Sequence, residues 1–73
     1  MTKNTPRDRV WVYVLDQAFK VGAESVRSPQ VAEAAGVSER TARDALKTMP
    51  FTDEYRIPDG RVRYDIDYSF FET

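Results

Sequence analysis

The sequence predicts a small α+β domain, mainly helical: three helices, a short strand between the first and second, and a C-terminal β-hairpin. Three observations predict it. Apolar residues recur at helical spacing from Val10 to Val21. The run from Ser28 to Met49, SPQVAEAAGVSERTARDALKTM, reads as two short helices joined by a glycine turn. Apolar residues then alternate strictly on both sides of Asp59-Gly60. Seventy-three residues make one domain, 1–73. Such a chain buries only about 60% of its unfolded surface, so association with a second copy would supplement a modest stability.

Helix 1 is expected over about 6–21. Thr5-Pro6-Arg7-Asp8 supplies a hydroxyl cap, proline at the first helical position and an acid three residues on. Val10, Trp11, Val14, Leu15, Ala18, Val21 and Gly22 line one broad stripe, which Val12 and Phe19 widen. The extra width suits either a first helix buried more deeply or a surface for a partner. Ala23 to Arg27 is too short for a helix, and Val26 among polar neighbours suits a single short strand.

Helix 2 is expected over about 29–35, with the Ser28 hydroxyl accepting an orphan amide hydrogen and Pro29 at the first helical position. Gly36 tolerates the left-handed conformation that ends a helix, and Val37 returns the chain to the core. Ser38 caps helix 3, about 39–49, which Pro50 stops. At about 100° per residue, Ala42, Ala45, Leu46 and Met49 fall on one side, and Glu39, Arg40, Arg43, Asp44 and Lys47 on the other. The small inner residues let the helix sit close against its neighbours. The outer side offers forked donors and carboxylate acceptors, the groups that read base edges in a DNA major groove.

After helix 3, Phe51, Tyr55 and Ile57 share one parity, and Val62, Tyr64, Ile66, Tyr68 and Phe70 share the other. Asp59-Gly60 suits a two-residue type I′ turn, whose central residues both need positive φ. That turn sets Pro58 opposite Arg61, Ile57 opposite Val62 and Tyr55 opposite Tyr64. The missing amide hydrogen of Pro58 is tolerable at a hairpin tip.

The run Val31-Ala32, Ala35-Gly36-Val37-Ser38, Thr41-Ala42 resembles the helix-turn-helix of prokaryotic and archaeal transcription regulators. With the hairpin included, the order of elements resembles the winged variant of that motif, with residues 51–67 as the wing. The resemblance implies that helix 3 lies in the major groove while the wing follows the backbone or enters the minor groove. Carried onto matching positions, Glu39, Arg40, Arg43 and Asp44 become the base-reading candidates. Arginine bridges guanine O6 and N7, and a carboxylate accepts from the cytosine amino group. Ser38 and Thr41 carry hydroxyls suited to phosphate. Ser28 and Gln30 stand at the start of helix 2, where amides and the helix dipole favour anions. Lys47 completes the backbone set on helix 3. The wing adds Arg56, Arg61 and Arg63, with Arg61 beside the tip and suited to a narrow minor groove.

The same residues have plainer uses. Glu39–Arg43 and Arg40–Asp44 are each four residues apart and suit surface ion pairs. The wing arginines also suit a soluble edge strand, diluted by Asp53, Glu54 and Asp59. Tyr68, Phe70 and Phe71 either fold back over helix 1 or join Val12 and Phe19 in a symmetric dimer contact. A homodimer would present two copies of helix 3 to half-sites about one helical turn apart.

Net charge is −1, but it is unevenly spread. Lys3, Arg7 and Arg9 face Asp8 in the first twelve residues, and the last ten hold Asp65, Asp67 and Glu72 with no base. The body is weakly basic, so electrostatic affinity for nucleic acid should be modest. Arginine outnumbers lysine eight to three, and aspartate exceeds glutamate. With an acidic isoelectric point near 5.3, that bias suits a salt-loving, archaeal-like host. Cysteine and histidine are absent, which removes thiolate metal sites and the commonest general base. No Gly-rich phosphate loop or metal-ligand spacing appears, so neither catalysis nor a cofactor is expected. Without an apolar run of membrane-spanning length or a signal-peptide core, a cytoplasmic protein is expected. The expected function is sequence-specific binding of double-stranded DNA, by a small transcriptional regulator without a ligand-sensing domain of its own. The alternative is a protein-interaction module within a transcription or replication assembly, which the near-neutral charge favours.

Overall fold

The computed structural model describes residues 5–72; Lys3, counted among the N-terminal bases, lies outside them. In chain order it holds α1 (Pro6–Asp16), β1 (Ser25–Val26), α2 (Ser28–Ala35), α3 (Glu39–Thr48), β2 (Thr52–Arg56) and β3 (Val62–Ile66). A 3₁₀ turn, Tyr68–Phe71, follows β3. The strands form one antiparallel sheet in the order β1-β3-β2. This is a small, mainly helical α+β domain, compatible with a winged helix.

The start of α1 follows the sequence closely: the Asp8 amide donates to Thr5 Oγ1 at 3.1 Å. Its end does not. Helical winding continues through the expected Val21, but Gln17–Val21 is a π turn. That wider turn delays the rotation of the chain. Val21, assigned to the buried stripe, is therefore 67% exposed. The Tyr68 hydroxyl donates to the carbonyls of Ala18 and Ala23, fastening the C-terminal turn over this segment.

Helix α2 starts one residue earlier than expected, and Ser28 is not its cap. Arg27 occupies the cap position, and its amide donates to Gln30 Oε1 at 3.2 Å. Ser28 is instead buried inside the first turn and donates to Glu39 of α3 at 3.3 Å. Gly36 ends α2 at φ 70, and the Val37 amide donates to the Ala32 carbonyl. Ser38 caps α3 by accepting from the Thr41 amide at 3.1 Å. Helix α3 ends at Thr48, one residue before the expected limit, and Met49 turns extended ahead of Pro50.

Side chains from α1 tie the other helices down. Arg9 Nε donates to the Ala35 carbonyl at 2.9 Å, satisfying an orphan acceptor at the end of α2. Arg7 donates to Thr48 Oγ1 at 2.7 Å. The core is built from Val10, Val14 and Ala18 of α1, Val31, Ala32 and Ala35 of α2, and Ala42, Ala45 and Leu46 of α3. Val26, Met49, Phe51, Tyr64 and Ile66 close it from the sheet side. Five of these fourteen are alanines, which lets the three helices approach closely. Thr52 is also buried, and its hydroxyl donates to the Leu46 carbonyl at 2.7 Å.

The hairpin departs from expectation by one residue. Glu54 stands opposite Tyr64, Tyr55 opposite Arg63 and Arg56 opposite Val62. The turn is not type I′, because Gly60 alone at the tip has positive φ, at 99. The Gly60 amide donates to the Ile57 carbonyl, and the Ile57 amide to the Arg61 carbonyl. Pro58, Asp59 and Gly60 thus form a three-residue loop, with proline at the turn position that favours its fixed φ. The extra loop residue reverses the faces of β2. Tyr55, assigned inward, is exposed, while Thr52, Glu54 and Arg56 share the face of Tyr64 and Ile66. Val62, Tyr64 and Ile66 keep their expected side.

Candidate nucleic-acid interface

Two-sidedness of α3 is the feature that positions the site. Ala42, Ala45 and Leu46 are at most 3% exposed, while Glu39, Arg40, Arg43, Asp44 and Lys47 all face solvent. Glu39 and Arg43 form an ion pair at 3.2 Å. The Arg40–Asp44 pair that spacing permits is not formed, and Arg40, Asp44 and Lys47 have no partner among the described residues. Arg40 therefore presents an uncommitted guanidinium on the outer flank.

The candidate backbone contacts on the helices are less free. Ser38 Oγ accepts from the Thr41 amide and donates to Thr41 Oγ1 at 2.9 Å, so both hydroxyls are engaged in the cap. Ser28 is buried, and its hydroxyl donates to Glu39. Gln30 is exposed, but its amide bridges the Arg27 backbone and the Tyr13 hydroxyl, the latter at 2.8 Å.

In the hairpin, Arg61 clasps Asp59 through its side chain at 2.6 Å and through its own amide at 3.0 Å. Those hydrogen bonds hold the Asp59 carboxyl below the usual carboxylate range, with a smaller contribution from the charge of Arg27. Arg63 pairs with Asp65 at 2.8 Å and lies 4.6 Å from the Tyr55 ring centre, a cation–π contact on the outer sheet face. Arg56 is exposed and has no partner among the described residues.

A cleft of about 250 Å³ lies where the hairpin tip meets the starts of α2 and α3. Arg27, Arg43 and Arg61 line it together with Glu39. Arg27 is not among the cations that the sequence pattern singles out. The signal was a cation at the entry to a helix whose amides point outward, next to a strand that pairs with β3.

Of the C-terminal aromatics, two fold back and one stays exposed. Tyr68 and Phe71 fold back: Tyr68 through its hydroxyl, Phe71 by edge contact with Phe19 at 4.8 Å and by packing on Phe51 at 5.3 Å. Val12, Phe19 and Phe70 stay outside, at 55%, 63% and 46% exposed, and Val21 joins them. Among the described residues no Asp, Glu, His or Cys cluster is placed to hold a metal ion. Nor is any described helix long and apolar enough to cross a membrane.

Comparison with protein-family models, with curated proteins and with solved structures finds no match. A functional reading of this chain rests on its residues and their geometry.

Proposed function

We propose that this protein is a winged helix-turn-helix reader of double-stranded DNA that acts in transcription regulation. Helix α3 enters the major groove, and the hairpin is the wing, which lies on the backbone or in the minor groove. The observation that carries the reading is the outer flank of α3. It is polar along its whole length, holds a free guanidinium at Arg40, and stands on an alanine-rich inner flank that fixes its orientation. Arg40, Arg43, Glu39 and Asp44 are then the base-edge groups. Lys47, Arg56, Arg61 and Arg63 supply backbone cations. A second copy docked through Val12, Phe19, Val21 and Phe70 makes the reader a symmetric homodimer.

Selection of bound sequences from a random duplex library tests this directly: a defined, palindromic site is expected. On that site Arg40→Ala should weaken binding by about 1–3 kcal/mol and relax base choice at one position. With about four phosphate contacts per protomer, the log–log salt slope should lie near −3.6 for each.

A second reading has its own support. Arg43, Arg61 and Arg63 are each paired with a carboxylate, and the chain carries a net charge of −1. A winged-helix module that meets another protein through α3 needs no net positive field. Titration with mixed-sequence duplex at low salt separates the two, because such a module should bind DNA no better than an unrelated acidic protein.

A further inference from the structure

The cleft between the hairpin tip and the two helix starts collects three guanidinium groups from three separate segments. Arg27 comes from the entry to α2, Arg43 from α3 and Arg61 from the hairpin tip. Glu39 lines it with them and Asp59 stands against Arg61, so three cations face two carboxylates. In a chain with net charge −1, this local excess of cations is conspicuous.

The arginines are also oriented. Glu39 accepts from Ser28 and from Arg43, so one carboxylate fixes the helix-turn-helix junction and the direction of the Arg43 fork. Asp59 holds Arg61 in the same manner. A guanidinium has five N–H donors, so each tethered group keeps donors for a further acceptor. Arg27 has no ion-pair or side-chain hydrogen-bond partner among the described residues.

Size narrows the ligand. A cleft of about 250 Å³ is several times the roughly 30 Å³ share of a water molecule. It falls below the roughly 300 Å³ at which pockets for whole small molecules begin. Pro29 and Val62 supply apolar edges, and the three arginine forks and Glu39 supply the polar groups. Three guanidinium forks around a hollow of this size suit a tetrahedral oxyanion, which accepts from several donors at once.

We infer that this cleft seats one phosphoryl oxyanion, held by Arg27, Arg43 and Arg61. The DNA backbone is its source if the function proposed above holds, and free phosphate is the other source of the same chemistry. The inference reassigns Arg43 and Glu39. They serve the phosphate strand, and Arg40 and Asp44 are left as the base-edge pair.

The test is NMR titration of the whole ¹⁵N-labelled chain with inorganic phosphate, with sodium chloride at matched ionic strength as control, and separately with a short mixed-sequence duplex. Phosphate should move the backbone and guanidinium signals of Arg27, Ser28, Arg43, Gly60 and Arg61 saturably. Arg27→Gln and Arg61→Gln should each weaken it at least fivefold with the rest of the spectrum unchanged. Lys20→Gln, which lines no part of the cleft, should leave it unaltered. If the duplex moves the same signals and phosphate competes with it, the source is the DNA strand. If phosphate saturates the site while the duplex does not bind, the cleft stands as a free-anion site and the DNA reading falls. If phosphate shifts are diffuse and non-saturable, or survive both glutamine variants, the cleft is not an anion seat. Normal duplex binding in that case would leave the DNA reading standing alone.

Discussion

Glu54 stands directly across the hairpin from Tyr64 and accepts the hydrogen bond of its buried phenol at 3.1 Å. Burial and that carboxylate push the Tyr64 phenol up from 10.0 to about 12. The protonated form is therefore favoured by folding. Its contribution is fully present below pH 10 and is lost as pH rises toward 12. Two units correspond to about 2–3 kcal/mol. Stability should fall over this window, and an absorbance titration should show one of the four tyrosines ionising only as the fold is lost. Tyr64→Phe should remove the late step. A Tyr64 that ionises near 10 in the folded chain would contradict the pairing.

The hairpin tip has the opposite pH dependence. Asp59 is held below its ordinary 3.8 by the hydrogen bonds from Arg61, so its contribution is present above that value and lost as pH falls through the lower one. Acid should loosen the tip, read as a change in the Gly60 amide signal, before the helices melt. Gly60→Ala tests the turn by another route. No atom stands within 4 Å of the added Cβ, so its cost is conformational alone, about 1–2 kcal/mol for a left-handed residue.

These two sites also show where the sequence was legible. Helix starts and stops at Thr5, Gly36 and Ser38 are local matters of one side chain and a few amides, and they can be read from neighbours in the chain. The outward flank of α3 follows from period alone. The hairpin register does not. A two-residue loop at Asp59-Gly60 and a three-residue loop that includes Pro58 differ by a single residue. The apolar alternation of Tyr55 and Ile57 favours the former, whereas the fold puts Thr52, Glu54 and Arg56 on the inner face. The decision lies in the long-range pairing, where Thr52 rather than Asp53 lies opposite Ile66, and Thr52 bonds to Leu46. Ser28 failed for a similar reason. Its capping potential is local, but its partner, Glu39, belongs to the next helix. The cleft with Arg27 was illegible because its three cations are assembled only by the fold.

Thr52 gives a direct measure of that long-range decision. Its hydroxyl donates at 2.7 Å to the Leu46 carbonyl in the last turn of α3, which otherwise receives only the long 3.4 Å bond of the Met49 amide. Thr52→Val keeps the shape and removes the donor, which should cost about 1–3 kcal/mol. In a domain of this size each kcal/mol lowers Tm by about 4–8 °C. Thr52→Ser keeps the hydroxyl and should lose less, so the pair of variants separates the hydrogen bond from the methyl group.

The exposed apolar face makes the remaining prediction. Phe19 and Phe70 both touch Phe71, so they edge one aromatic cluster, and Val12 lies two turns before Phe19 on the same helix. Phe51 supports the cluster from the core side. The Asp16–Lys20 ion pair on the same helix supplies both signs of charge. An apolar centre with both signs nearby suits self-association about a two-fold axis, where each acid can meet the opposing base. A stable contact needs about 800 Å² from each partner. Sedimentation at micromolar concentration should therefore give twice the 8.4 kDa chain mass. Phe19→Ser with Phe70→Ser should return it to one chain without loss of helical signal, because neither residue belongs to the buried core. DNA selected by the double variant should then lose its palindrome and retain a single half-site. A wild-type chain that sediments as a monomer at all concentrations would remove the homodimer from the account and leave α3 to read one half-site alone.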